Sequence, residues 1–139
     1  MGCNSDKMNT TYVLRLKPGQ DLKQSLENFV QQNNIEAGWI VTCAGCLTKA
    51  SIRLANQTNV SVYDGHFEIV SLTGTLSVNG SHLHISIADS TGKCMGGHLS
   101  DGSLIYTTAE IVLEQSHDLT FTREKDGTTP WDELQIKKK

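Results

Sequence analysis

No stretch of this 139-residue chain stays apolar for anything near the roughly 18 residues a membrane-spanning helix needs. The opening residues, MGCNSDKMNT, carry no apolar segment of the kind that makes a secretory signal, so the expected address is the cytoplasm. Gly2 and Cys3 invite a lipidation reading, but Asp6 stands where a myristoylation pattern needs Ser or Thr, and no lipoprotein signal precedes Cys3. An excess of basic residues is missing too. With 12 Lys and Arg against 15 Asp and Glu, the net charge is −3, which gives no global attraction to a polyanion. Cysteine is sparse at four residues, and a cytoplasmic address favours free thiols over a disulfide framework. Cys43 and Cys46 form a C-x-x-C, but CAGC lies between strand-like runs and has no second pair to complete four metal ligands, so buried free thiols are expected. There is no internal repeat, low-complexity stretch or linker. One domain with a real core is therefore expected.

What the chain does contain is a series of alternating apolar runs and one amphipathic stretch. Tyr12 to Leu16 read as a first strand. Asp21 followed by Gln24 starts a helix of about a dozen residues that carries Leu22, Leu26, Phe29 and Val30 on one stripe and ends near Asn33-Asn34. Trp39 to Thr42 and Lys49 to Ala55 read as two strands hinged at Ala44-Gly45, with a loop over Asn56 to Asn59. Val60 to Tyr63 read as a short strand ended by an Asp64-Gly65 turn, and Phe67 to Val78 as a long one broken at Gly74. Asn79-Gly80 is the strongest hairpin signal in the sequence. Ile105 to Leu113, interrupted by Glu110, and Leu119 to Phe121 follow as strands. The tail from Arg123 to Lys139 reads as irregular, with Lys137 to Lys139 as a solvated basic end. Many antiparallel strands with one main helix indicate an α+β domain.

The stretch SHLHISIADSTGKCMGGHL, Ser81 to Leu99, looks most like a site. Strand side chains alternate, so His82, His84, Ser86 and Ala88 share one face while Leu83, Ile85 and Ile87 share the other. A turn through Gly96-Gly97 is expected to deliver His98 to the same place. Three neighbouring imidazoles with a fourth position open are how proteins hold catalytic zinc, and the competing reading is surface or hydrogen-bonded histidines that bind nothing. The Asn79-Gly80 hairpin runs the histidine strand antiparallel to the strand carrying Glu68. Either Glu68 or Glu110 could then move a proton or hold an imidazole in orientation.

In this order and spacing, GHFEIVSLTGTL (65 to 76), HLHISIADSTGKCMGGHL (82 to 99), TAEIVL (108 to 113) and TREKDGTTPWDELQI (122 to 136) resemble the PPC domain, the plant and prokaryote conserved domain. The resemblance runs from about Tyr12 to Ile136. It implies a flexible N-terminus over 1–10, the PPC domain over 11–136 and a basic end over 137–139. It also implies a compact α+β fold around an antiparallel sheet, similar in architecture to acetolactate decarboxylase, and assembly as a homotrimer. Plant members place the domain after an AT-hook, an R-G-R-P-type segment that enters the minor groove. No such segment occurs in this sequence, so the family's DNA-binding label rests on a part this chain lacks, and binding to duplex DNA is expected to be weak or absent. Prokaryotic members carry a three-histidine cluster that matches His82, His84 and His98, which implies a divalent metal, zinc by analogy with the decarboxylase. Two functions follow from the resemblance. One is a trimeric cytoplasmic module with a bound metal. The other is a zinc-dependent lyase or hydrolase acting on a small oxyanionic substrate.

Overall fold

The structure, a computed structural model, describes residues 2–4 and 7–139. Of the expected flexible segment, residues 1, 5 and 6 lie outside the described ones, and the first strand, β1 (Thr10–Leu16), begins two residues earlier than expected. The helix α1 (Leu22–Gln32) starts where the sequence places it, because Asp21 Oδ1 accepts from the Gln24 backbone N–H at 3.0 Å. Its other carboxylate oxygen accepts from the Gly102 N–H at 2.7 Å, which ties the helix start to a distant loop. Leu22, Leu26 and Val30 are buried on one stripe, and Phe29 meets Tyr12 of β1 edge-on with ring centroids 5.1 Å apart.

The remaining strands are β2 (Gly38–Arg53), β3 (Ser61–Leu76), β4 (His82–Ala88), β5 (Cys94–Leu99), β6 (Leu104–Gln115), β7 (Leu119–Glu124) and β8 (Glu133–Lys138). Six form one antiparallel sheet in the order β1-β6-β2-β3-β4-β5. The sheet curls until β5 also pairs with the end of β2, Ile52 opposite Leu99 and Arg53 opposite His98. Leu47, Ile52, Leu76, Ile87, Ile105, Ile111 and Leu113 are all essentially inaccessible to solvent, and with the apolar stripe of α1 they form the main core. No helix among the described residues is long and apolar enough to cross a membrane.

Three local expectations are corrected. The hinge at Ala44-Gly45 does not end a strand: β2 runs unbroken for 16 residues and bends through register shifts against β3 and β6. Glycine is used there for close approach, since a Cβ at Gly45 would lie 2.2 Å from the Thr108 carbonyl oxygen of β6. Asp64-Gly65 is not a turn either, because β2 offers partners on both sides of it, Lys49 opposite Asp64 and Leu47 opposite Phe67. A local turn preference loses to a long pairing partner.

The third correction is the tail. Leu119 and Phe121 alternate on β7, and Leu134 and Ile136 on β8, so the two strands form a hairpin that packs against Ala37 and Trp39. The Phe121 carbonyl accepts from Asn79 Nδ2 at 2.9 Å, and the Phe121 N–H donates to the Glu36 carbonyl at 2.8 Å. These bonds fix the hairpin beside the β3–β4 turn. Lys137 and Lys138 belong to β8, and Lys139 Nζ lies 3.0 Å from Glu36 Oε1.

Candidate metal centre

Along β4 the burial alternates as the period of two requires: Leu83, Ile85 and Ile87 are buried while His82 and His84 are exposed. The chain then reverses through Asp89–Gly92, where Asp89 Oδ1 accepts from the Thr91 N–H at 2.9 Å and the Lys93 N–H at 3.1 Å. This is the turn that delivers His98. Gly96 and Gly97, expected to form it, are instead interior residues of β5. A Cβ at Gly96 would stand 2.4 Å from the Ile85 carbonyl oxygen and one at Gly97 2.5 Å from that of Arg53, so the two glycines let β5 fit between β4 and β2.

Antiparallel register then sets His98 directly opposite His84. His82 and His98 stack with centroids 4.9 Å apart, and His84 stands edge-on to both. One ligating nitrogen from each of the three lies within 4.8 Å of the others, and His82 Nε2 is 3.2 Å from His84 Nε2. Two nitrogens on a tetrahedral zinc with bonds of about 2.0–2.1 Å are themselves about 3.3 Å apart. The His82–His84 pair already has that spacing.

Burial, then the nearby Arg53 guanidinium, then the other two imidazoles hold His98 down to about 4. His82 is lowered as well, by desolvation first even though it keeps an exposed edge, then by His84 and Arg123. Both effects favour the neutral imidazole, which is the form that ligates a metal.

The two arginines come from different elements. Arg53 pairs with His98 across the β2–β5 closure, and its guanidinium donates to the Gln57 carbonyl at 3.1 Å. Arg123 of β7 donates to Thr75 Oγ1 at 2.7 Å, and Thr75 is the residue opposite His82 on β3. Together with His82 and His98 they line a cleft of about 680 Å³, whose far wall is Trp131, Asp132 and Glu133 from the β7–β8 loop and strand. Neither arginine was singled out from the sequence. Nothing local marks them: Arg53 reaches the site through the β2–β5 pairing, and Arg123 through a side-chain hydrogen bond from a separate hairpin to Thr75.

Glu68 and Glu110 are not in this cluster. Glu68 lies opposite Cys46 and Ala88, four residues along β4 from His84, and Glu110 lies opposite Arg15 and Ala44. Neither lines the cleft. His66 stacks on Tyr106 at 4.2 Å, and His117 is beside Thr10, both outside the triad. Cys43 is buried, Cys46 half-buried with its sulfur 2.9 Å from Thr107 Oγ1, and all four cysteines are free.

A curled antiparallel sheet with one helix packed inside it and three imidazoles at its closing edge defines a class of small α+β domain with metal-ligating potential. The chain belongs to the Plants and Prokaryotes Conserved (PCC, or PPC) domain family, which matches residues 3–117. A hypothetical protein from Salmonella enterica has the same fold at a TM-score of 0.93, with 39% identity over 97% of this chain and 99% of that one. A metal-containing protein from Archaeoglobus fulgidus superposes at a TM-score of 0.81, with 23% identity over 97% and 99% of the two chains. The bifunctional protein GlmU of Synechococcus sp. (strain JA-3-3Ab) is 48% identical over 91% of this chain and 20% of its own length. The chain thus spans about a fifth of that curated relative.

Proposed function

We propose that His82, His84 and His98 together hold one divalent cation, zinc by availability and by analogy with the decarboxylase, in a homotrimeric domain of the cytoplasm. The observation that carries the reading is the convergence of three ligating nitrogens within 4.8 Å at the edge of a cleft. Imidazole alone suits zinc, copper, nickel and iron, so metal identity is a matter for measurement. The metal-containing relative from Archaeoglobus lends support. Self-association has support in the exposed valines of the sheet strands, Val13 at 75% and Val41 at 52%, which a second copy would cover. Free thiols throughout fit a reducing compartment.

Metal analysis of the purified full chain, followed by zinc titration near pH 7.5, tests the site. About one equivalent per chain is expected. His84→Ala should abolish it, and His66→Ala and His117→Ala should not. A chain that binds no zinc at micromolar concentration, or a His84→Ala variant that binds as the parent does, overturns the reading.

A second reading, a lyase or hydrolase acting on a small oxyanion, draws on the Arg53 and Arg123 guanidiniums beside the histidines. Zinc bound there would polarise a carbonyl or bring the pKa of a bound water to about 7. The carboxylates the cleft itself holds are Asp132 and Glu133, so proton movement falls to them rather than to Glu68 or Glu110.

A further inference from the structure

Four side chains that line the cleft, Arg123, Trp131, Asp132 and Glu133, come from β7, β8 and the loop between them. The histidines and Arg53 come from the large sheet. The opposite wall is built by the β7–β8 hairpin, which has its own small sheet and its own apolar contacts.

The charges facing this space do not balance once a metal is bound. Arg53 and Arg123 offset Asp132 and Glu133, and Lys23 is already paired with Glu27 at 2.8 Å and Asp101 at 3.6 Å, so a divalent ion on the histidines would leave the space with an excess of positive charge. An anion beside the two arginines would offset that excess. Each uses one of its five N–H donors on the protein, Arg53 toward Gln57 and Arg123 toward Thr75, leaving the others of the fork to meet a carboxylate. The stem of Arg123 passes close to Gly80, where a Cβ would be 3.1 Å from its Cγ. Leu83, Leu99 and Trp131 add apolar lining, which a bare inorganic ion would not use.

We propose that the cleft binds a small organic dianion with two carboxylate-type groups, recognised by Arg53 and Arg123, and that the β7–β8 hairpin determines which one. The proposal rests on the metal reading for one end of the ligand. Its other end, at the arginines, is tested separately by the arginine variants. Thr75 is a positioning residue that acts through Arg123.

The test is calorimetric titration of the zinc-loaded full chain with malonate and, separately, with inorganic phosphate, with zinc content measured after each run. Malonate is expected to bind at least ten-fold more tightly than phosphate. Arg123→Gln and Arg53→Gln should each weaken malonate at least ten-fold with zinc retained. Thr75→Val, which keeps the guanidinium but frees it, should weaken malonate several-fold. Trp131→Ala should narrow the gap between malonate and phosphate. Equal malonate affinity in the parent and both arginine variants overturns the proposal, as does phosphate binding as tightly as malonate or a zinc-loaded chain that takes no malonate. A parent chain that holds no zinc yet binds malonate in an arginine-dependent way refutes the metal site and leaves the anion site standing.

Discussion

Replacing Gly96 with alanine separates two accounts of why glycine stands there. If Gly96 served a turn at ordinary backbone angles, alanine would restrict the unfolded chain and stabilise the protein by about 0.4–1 kcal/mol. In the structure Gly96 is within β5, and the added methyl would stand 2.4 Å from the Ile85 carbonyl oxygen and 3.1 Å from the Ser86 Cα. An ordinary contact begins at 3.4 Å, so β4 and β5 must part by about 1 Å, and the atoms in the way are backbone rather than a side chain that could swing aside. Overpacking of this kind costs about 1–3 kcal/mol, which for a chain of this size lowers Tm by about 3–12 °C. The same movement separates His98 from His84, whereas metal–ligand distances tolerate about 0.2 Å, so zinc affinity should fall at least about ten-fold. Thermal unfolding of the metal-free chain at fixed protein concentration, with zinc titration of the folded variant, measures both effects. A Gly96→Ala protein that melts at or above the parent, or that binds zinc unchanged, refutes the close-packed account.

The metal-free chain should lose stability as pH falls. His98 is held to about 4 in the folded chain against 6.5 unfolded, so its contribution is complete above 6.5 and is lost through the window down to about 4, and His98→Gln should flatten that part of a Tm-against-pH curve. Burial raises the Cys43 thiol to about 11, so iodoacetamide at pH 7.5 should label exposed Cys3 and Cys94 and spare Cys43 until the chain unfolds; labelling of Cys43 at the rate of Cys94 would contradict the burial. Binding to a duplex DNA fragment at physiological salt should be weak or undetectable, since counterion release needs clustered cations and the 12 here face 15 acids. A salt-resistant, sequence-selective mobility shift would contradict this.

What the sequence made legible follows the distance over which each feature is determined. The α1 cap and its buried stripe depend on residues within a few positions of one another and stand as read, whereas the β3–β4 connection holds a turn near Asn79 but is longer than two residues, with β3 ending at Leu76 and the Gly80 N–H donating to the Ser77 carbonyl at 3.0 Å. The face shared by His82 and His84 follows from a period of two and needs no partner. The errors have a common cause in pairing. Ala44-Gly45, Asp64-Gly65 and Gly96-Gly97 carry local turn signals, yet each lies in a strand whose neighbours hold it extended, and two of the three contain a glycine needed for closeness rather than for a bend. The end of β7 and all of β8 read as irregular because β8 carries only two apolar positions, Leu134 and Ile136, flanked by charged residues, and only the hairpin partner makes that alternation plain.

The same reasoning explains why the histidines were found and the arginines were not. His98 joins His84 through one short turn, so a sequence motif can carry both. Arg53 reaches His98 only because the sheet curls far enough for β5 to pair with β2, and Arg123 reaches Thr75 only because a separate hairpin folds back over the β3–β4 turn. The three-histidine motif in such a chain is local, while the other charged groups of the cleft are brought to it by the closure of the fold. Two chains with the same three histidines can therefore accept different ligands, and the difference should lie in the β7–β8 hairpin rather than on the histidine strand.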